Sequence, residues 1–114
     1  MWEYRAAVER VIDGDTVELS IDLGFDVSIV VSVRVAGVNC PEVRGGTPAT
    51  RAAGDLAAAF TWAWLTDQGG VLDEWPLTVV TSKERSFARY VGSISRGGVS
   101  LADALIAAGH GTAP

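Results

Sequence analysis

TVELSIDLGFDVSIVVSVRVAGV, residues 16–38, is the stretch whose reading decides the fold. In its first half Val17, Leu19, Ile21 and Leu23 alternate with Glu18, Ser20 and Asp22, the period of two that a strand with one buried face requires. Gly24 and Asp26 mark a turn, and a β-branched run follows, so residues 16–38 are expected to form a long hairpin. Counting Val33 and Val35 as inward puts Arg34 on the other face. An arginine among valines is rarely buried without a paired anion, so Arg34 calls for a partner or a cleft.

Working outward, Glu3 to Ile12 mixes apolar and polar residues around Tyr4, Val8 and Val11 and reads as an opening strand, ended by Asp13-Gly14-Asp15. On the other side Thr47 is a good N-cap and Pro48 suits the first helical position, which predicts a helix over 48–66. Ala52, Leu56, Ala59, Phe60, Ala63 and Trp64 have the three-four spacing expected of its core face. DQGG closes it. WPLTVVTS and RYVGSIS read as two more strands, separated by Lys83 to Ala88. Ser100 and Asp103 form a capping box that opens a short helix ending at Gly109, after which GTAP is expected to trail free. The order β-β-β-α-β-β-α implies a mainly β protein with helices (α+β), a five-stranded OB-type barrel forming a single domain over residues 1–114.

The 48% hydrophobic and 20% charged composition is that of a globular chain. A net charge of -5 argues against broad phosphate binding, which needs many Lys and Arg, so any nucleic-acid role has to be local. No apolar run approaches the roughly 18 residues that span a bilayer. The opening MWEYRAAVER lacks the order of a signal peptide, and the chain reads as soluble and unprocessed, whether cytoplasmic or an excised mature secreted domain. The lone Cys40 excludes an internal disulfide and a thiolate zinc site.

Two clusters carry candidate chemistry. Asp13 and Asp15 flank Gly14 where two carboxylates can be presented at a turn, although Asp-Gly is also among the commonest turn dipeptides. Asn39, Cys40 and Glu42 stand at the exit of the third strand with Pro41 stiffening the backbone. A hard divalent cation takes carboxylate, amide and carbonyl oxygens, which these two turns could supply together; the plainer reading is an Asx turn followed by proline. Cys40 reads as a small residue rather than a nucleophile, because the one histidine, His110, lies near the far terminus. Arg89, just before YVGSIS, is either a surface arginine or part of a site.

In this order and spacing, VIDGDTVEL, VRVAGVNCPEVRG, FARYVGSI and SLADALIAAGHG resemble the staphylococcal nuclease (thermonuclease) family. The resemblance implies an OB-type fold and a hydrolase that cleaves phosphodiester bonds in DNA and RNA with one calcium ion (Ca2+). Carried over by position, it gives Asp15 as a calcium ligand and Asp13 as a carboxylate acting through water. Arg34 and Arg89 become the phosphate clamp, and Glu42 the group that activates or orients the attacking water. Asn39 stands where the family has a second calcium-binding aspartate, and Cys40 where a threonine lends its carbonyl. GHGTAP lacks the aromatics that stack on the base, which leaves Trp62, Trp64 and Trp75 as candidates. The implied partners are single-stranded or frayed DNA or RNA, with no membrane, for a monomer. A different reading, supported by Asn39, is a catalytically weak or inactive OB module that binds nucleic acid or a protein partner.

Overall fold

The computed structural model describes the backbone of residues 2–67, 73–86 and 89–114, and side chains within these ranges except among residues 82–89. The chain runs β1 (Trp2–Asp13), β2 (Thr16–Asp22), β3 (Ser28–Val35), α1 (Pro48–Thr66), β4 (Leu77–Ser86), β5 (Arg89–Arg96), β6 (Val99–Ser100) and α2 (Leu101–Ala107). Neighbours follow the order β3-β2-β1-β4-β5-β6, and a parallel pairing of Val33–Val35 with Tyr90–Gly92 joins β3 to β5. Five strands thus close into a mixed barrel, the mainly β, OB-like architecture expected from sequence.

The long β1 makes closure possible. Its first residues, Trp2 to Ala6, pair with β4, while Arg5 to Asp13 pair with β2. Register shifts between Val8 and Arg10 and between Val11 and Asp13 coil the strand around the barrel as it changes partner. Inside, Val17 and Leu19 are fully buried and meet Val33, Val35, Leu77 and Ile94 from the other strands. The alternation in β2 therefore faces the core as read, with one exception. Leu23 is 42% exposed, because it lies past Asp22, the last residue of β2, where the hairpin has outrun the barrel.

Helix α1 occupies the predicted span, capped by Thr47, whose hydroxyl accepts from the Thr50 backbone while the Thr50 hydroxyl accepts from Thr47 N–H. Its buried face is not the predicted one. Gly54, Ala57, Thr61 and Leu65 are buried, Phe60 and Trp64 are half-buried, and Ala52, Leu56, Ala59 and Ala63 are exposed. The helix lies so close to the β1–β2 turn and the following loop that small residues win the seam over larger apolar ones. A Cβ on Gly54 would sit 2.2 Å from the Glu42 carbonyl oxygen.

Three further expectations change. β4 continues to Ser86, past the predicted end at residue 82, by pairing Arg85 with Tyr90 and Ser86 with Arg89 after a register shift. The short β6 was not anticipated. The terminal residues do not trail free, since Thr112 forms an antiparallel bridge with Asn39, with both N–H···O bonds at 2.8 Å.

Candidate active site at the Asp13–Asp15 turn

The site is organised by a turn that three segments hold in place. The Thr61 hydroxyl, fully buried on α1, donates to the Gly14 carbonyl at 2.7 Å. Gly14 itself needs no unusual φ; a Cβ there would fall 2.9 Å from the Ala57 Cβ and 3.0 Å from the Cys40 sulfur. Its glycine is thus required by the close approach of helix and loop rather than by turn geometry. With Gly14 clamped, Asp13 and Asp15 are aimed in separate directions.

Asp15 points inward, with a side chain only 9% exposed. Its Oδ2 accepts from Cys40 N–H at 2.8 Å and lies 3.0 Å from Arg34 Nη1; its Oδ1 accepts from the Thr16 hydroxyl at 3.3 Å. Arg34 has found the partner its setting demanded. The same guanidinium donates to the carbonyls of Val35 and Val38 at 3.2 and 3.0 Å, and its Nη2 donates to Asn39 Oδ1. Charge-assisted bonds of this kind are the strong class, and here they lock the exit of β3 onto the β1–β2 turn. Asn39 is held on its other side by the bridge to Thr112.

Asp13 serves the loop instead, its Oδ1 accepting from Val43 N–H at 2.8 Å. Beside it opens a cleft of about 430 Å³ lined by Arg10, Ile12, Asp13, Glu42 and Arg44 among others. Glu42 is exposed on this cleft. The Glu42–Val43 peptide is backed by Gly54 of α1, so the height of the loop is set by helix contact.

The fold therefore gathers Asp15, Arg34, Asn39 and Cys40 into one network, and puts Asp13 and Glu42 on an adjoining cleft. Arg89 begins β5, whose Val91 lies beside Arg34, but its side chain lies outside the described residues. Cys40 is partly buried, and burial together with the negative Asp15 pushes its thiol up to about 11, which makes it a poor thiolate. His110, read as remote, lines a shallow cleft with Cys40, because the Thr112 bridge draws the C-terminal segment back; its ring packs against Phe60 at 5.0 Å, tilted by 43°. Of the candidate stacking residues, Trp64 is covered by the Arg96 guanidinium at 4.3 Å, Trp75 is half-buried, and Trp62 is exposed on α1.

Oxygen donors within reach of a hard cation are the Asp15 carboxylate and the Asn39 amide oxygen, with the Asp13 carboxylate beyond them. Among the described residues, no three of His, Cys, Asp and Glu stand together as a ready cage. The donors are of the right chemical type, but those of Asp15 and Asn39 are engaged by Arg34, so a cation can use them fully only when Arg34 gives way. Residues that the sequence did not reveal as part of the site are Gly54, Thr61 and Thr112; a buried threonine on a helix face and a glycine inside a helix were the available signals. Compared with known proteins, the chain matches no family model and no characterised sequence.

Proposed function

We propose that the chain is a nuclease of the staphylococcal type, hydrolysing phosphodiester bonds in single-stranded or frayed DNA and RNA with the help of calcium. The observation that carries this reading is the Asp15–Arg34–Asn39 network, an acid from the β1–β2 turn brought together with a guanidinium and an amide from the exit of β3 at one end of the barrel. Arg34 pairs with the nearly buried Asp15 while keeping 25% of its side chain open to solvent, so its guanidinium is placed to meet an incoming phosphate.

In this reading Asp15, Asn39 and the Cys40 carbonyl hold calcium, with Asp13 contributing through water. Calcium, when bound, supplies Lewis-acid polarisation of a phosphoryl oxygen. Arg34, relieved of Asp15, turns its planar fork to two phosphate oxygens, and Arg89 stabilises the charge that grows on them in the transition state. Glu42, exposed on the cleft, accepts the proton of the attacking water. Asp13 keeps the Glu42 loop at its height through the bond to Val43.

Cleavage of a quenched single-stranded DNA oligonucleotide across a calcium titration tests the reading. The parent should cut only with calcium, Asn39→Asp should need less of it, and Glu42→Gln should lose on the order of a hundredfold or more in rate with its fold intact. Undiminished hydrolysis in Glu42→Gln would remove its assigned role. Absence of cleavage at every calcium level favours the second reading, a non-catalytic OB module for nucleic acid or a protein partner. That reading draws on the way Arg34 already neutralises Asp15, and it expects no stabilisation of the fold by calcium.

A further inference from the structure

The cleft that Glu42 faces also receives two arginines, one of them delivered by a bulge in β1. Ala6 and Val8 alternate towards the barrel interior, and by the same count Arg10 would follow them in. It does not, because Val8 pairs with Leu19 and Arg10 with Glu18, so that Glu9 is one residue more than β2 can match. The extra residue turns Arg10 to the outer face, beside Glu18. A second shift, between Val11 and Asp13, turns Asp13 off the interior count in the same way. Arg10 and Arg44 thus stand with Asp13 and Glu42 around the cleft of about 430 Å³.

Both guanidiniums are open to a ligand. Arg10 Nε lies 2.6 Å from Glu18 Oε1, which fixes the group, while its two Nη atoms make no bond among the described residues and 67% of the side chain is exposed. Arg44 is exposed and makes no hydrogen bond or ion pair among the described residues. It sits two residues past Glu42 on a loop that Gly45 and Gly46 bend through positive φ of 82° and 64°, which brings the Glu42 carboxylate over Gly45. A free Nη edge offers two parallel N–H groups, the geometry that matches two oxygens of a phosphate.

We propose that Arg10 and Arg44 bind the phosphate next to the scissile one on a nucleic-acid strand, so that the site takes a polymer in preference to a single phosphodiester. The ligand follows from the charges. Asp13 and Glu42 line the same cleft, so a free anion there meets as many carboxylates as guanidiniums and gains little. A strand already held at Arg34 brings its next phosphate at high effective concentration, and weak charge pairs then suffice to hold it. With a net charge of -5 the protein has no broad field to attract such a strand, which leaves the task to locally placed arginines. This subsite rests on the nuclease reading above for its ligand, yet binding tests it even where hydrolysis fails.

Fluorescence anisotropy of a labelled thymidine oligonucleotide of about 12 nucleotides, titrated with protein in calcium-free buffer over a range of salt, reads the subsite directly. Arg10→Gln and Arg44→Gln should each flatten the slope of log K against log salt by about 0.7, the value for one phosphate contact on a single strand, whereas Arg44→Lys keeps the charge and should keep the slope. With calcium, both glutamine variants should raise KM for the same oligonucleotide several-fold, leave its kcat within about twofold, and leave hydrolysis of a thymidine dinucleotide, which has one phosphate, at the parent's rate. Both should melt with the parent, since both side chains are exposed. Slopes equal to the parent's overturn the subsite, as does a parent that does not bind the oligonucleotide. An equal loss on oligonucleotide and dinucleotide overturns it too, because the Glu42 loop is then disturbed as a whole. Where the parent still cuts, the nuclease reading survives these failures; a flattened slope without any cleavage keeps the subsite and retires the hydrolytic reading.

Discussion

Replacing Gly54 with alanine should destabilise the protein, although elementary helix energetics says the opposite. In the middle of a helix, glycine to alanine is worth about 1 kcal/mol in favour of folding, by propensity and by the smaller entropy of the unfolded chain. Against it stands the position of the new methyl. It would lie 2.2 Å from the Glu42 carbonyl oxygen, 2.5 Å from the Glu42 carbonyl carbon and 2.9 Å from Val43 N. Restoring ordinary contact requires the helix and the Glu42–Val43 peptide to part by about 1 Å, and overpacking of this degree costs about 1–3 kcal/mol. The peptide is not free to move, because Val43 N–H is bonded to Asp13 at 2.8 Å. Loosening that charge-assisted bond adds about 1.5 kcal/mol or more. The balance is a net loss of about 1.5–3.5 kcal/mol, which for a domain of this size lowers the melting temperature by roughly 5–18 °C. Thermal unfolding followed by far-UV circular dichroism measures it. A rise in melting temperature would refute the claim that α1 is held against the loop at Gly54, and with it the account of how Glu42 is positioned. As a control, alanine to glycine at the exposed Ala52 should cost about 1 kcal/mol, as propensity alone dictates.

Thr61→Val keeps the shape of a fully buried side chain but strands the Gly14 carbonyl, so chemical denaturation should show a loss of about 1–3 kcal/mol; an unchanged midpoint would mean that the turn is held without this bond. Arg34→Met removes the cation from a buried carboxylate and should cost about 3 kcal/mol without calcium, while calcium should raise its melting temperature more than it raises the parent's; equal shifts would show that Arg34 and calcium do not compete for Asp15. The Cys40 thiol holds its proton in the folded state up to about pH 11 against an unfolded value of 9.0, so folding binds the extra proton between these values. Its stabilising contribution is therefore complete below pH 9 and lost as pH rises through about 11, a decline that Cys40→Ala should lack when the two are denatured across that range. For the same reason iodoacetamide should modify native Cys40 far more slowly at pH 8 than unfolded protein, and equal rates would contradict its burial.

Those outcomes bear on how much of the molecule could be read from its residues. Strand alternation in β2 found the barrel face because period-two burial is a local property: each side chain reports which side of its own strand is dry. It could not find where the barrel ends. Leu23 continues the alternation faithfully and is nonetheless exposed, since burial also needs a neighbouring strand, and among the described residues β3 pairs with β5 only from Val33 onward. Helix α1 shows the same division. Thr47 and Pro48 fixed its start through local hydrogen bonding and a preset φ, whereas its buried face was decided by distance to the β1–β2 turn. Hydrophobicity ranks Leu56 above Gly54 for the core, but a helix pressed against a peptide plane requires the residue with no side chain. Likewise the terminal GTAP carries no periodic signal, and only the Asn39 backbone groups at the exit of β3 give Thr112 something to bond.

At the candidate site the legible part was chemical type, and the illegible part was who satisfies whom. Asp13 and Asp15, two residues apart with the same side chain, are separated in task by the clamp on Gly14: one carboxylate supports the loop that carries Glu42, the other binds Arg34. Sequence spacing treats them as a pair; the hydrogen bonds do not. The Asp15–Arg34 contact also changes the meaning of Asn39. An aspartate at that position would place two negative charges around one guanidinium, a net charge that invites a cation. The amide leaves Asp15 and Arg34 balanced, with the Asn39 oxygen taking up a remaining donor. In a centre already neutral, an incoming divalent ion has to compete with a tethered guanidinium at effectively high local concentration, and its apparent affinity falls by the stability of the pair it displaces. Calcium dependence would then be set less by the number of ligands than by how readily Arg34 leaves. A bound phosphate, by offering Arg34 a second anion, would lower that barrier, so substrate and metal would each be held more tightly in the presence of the other.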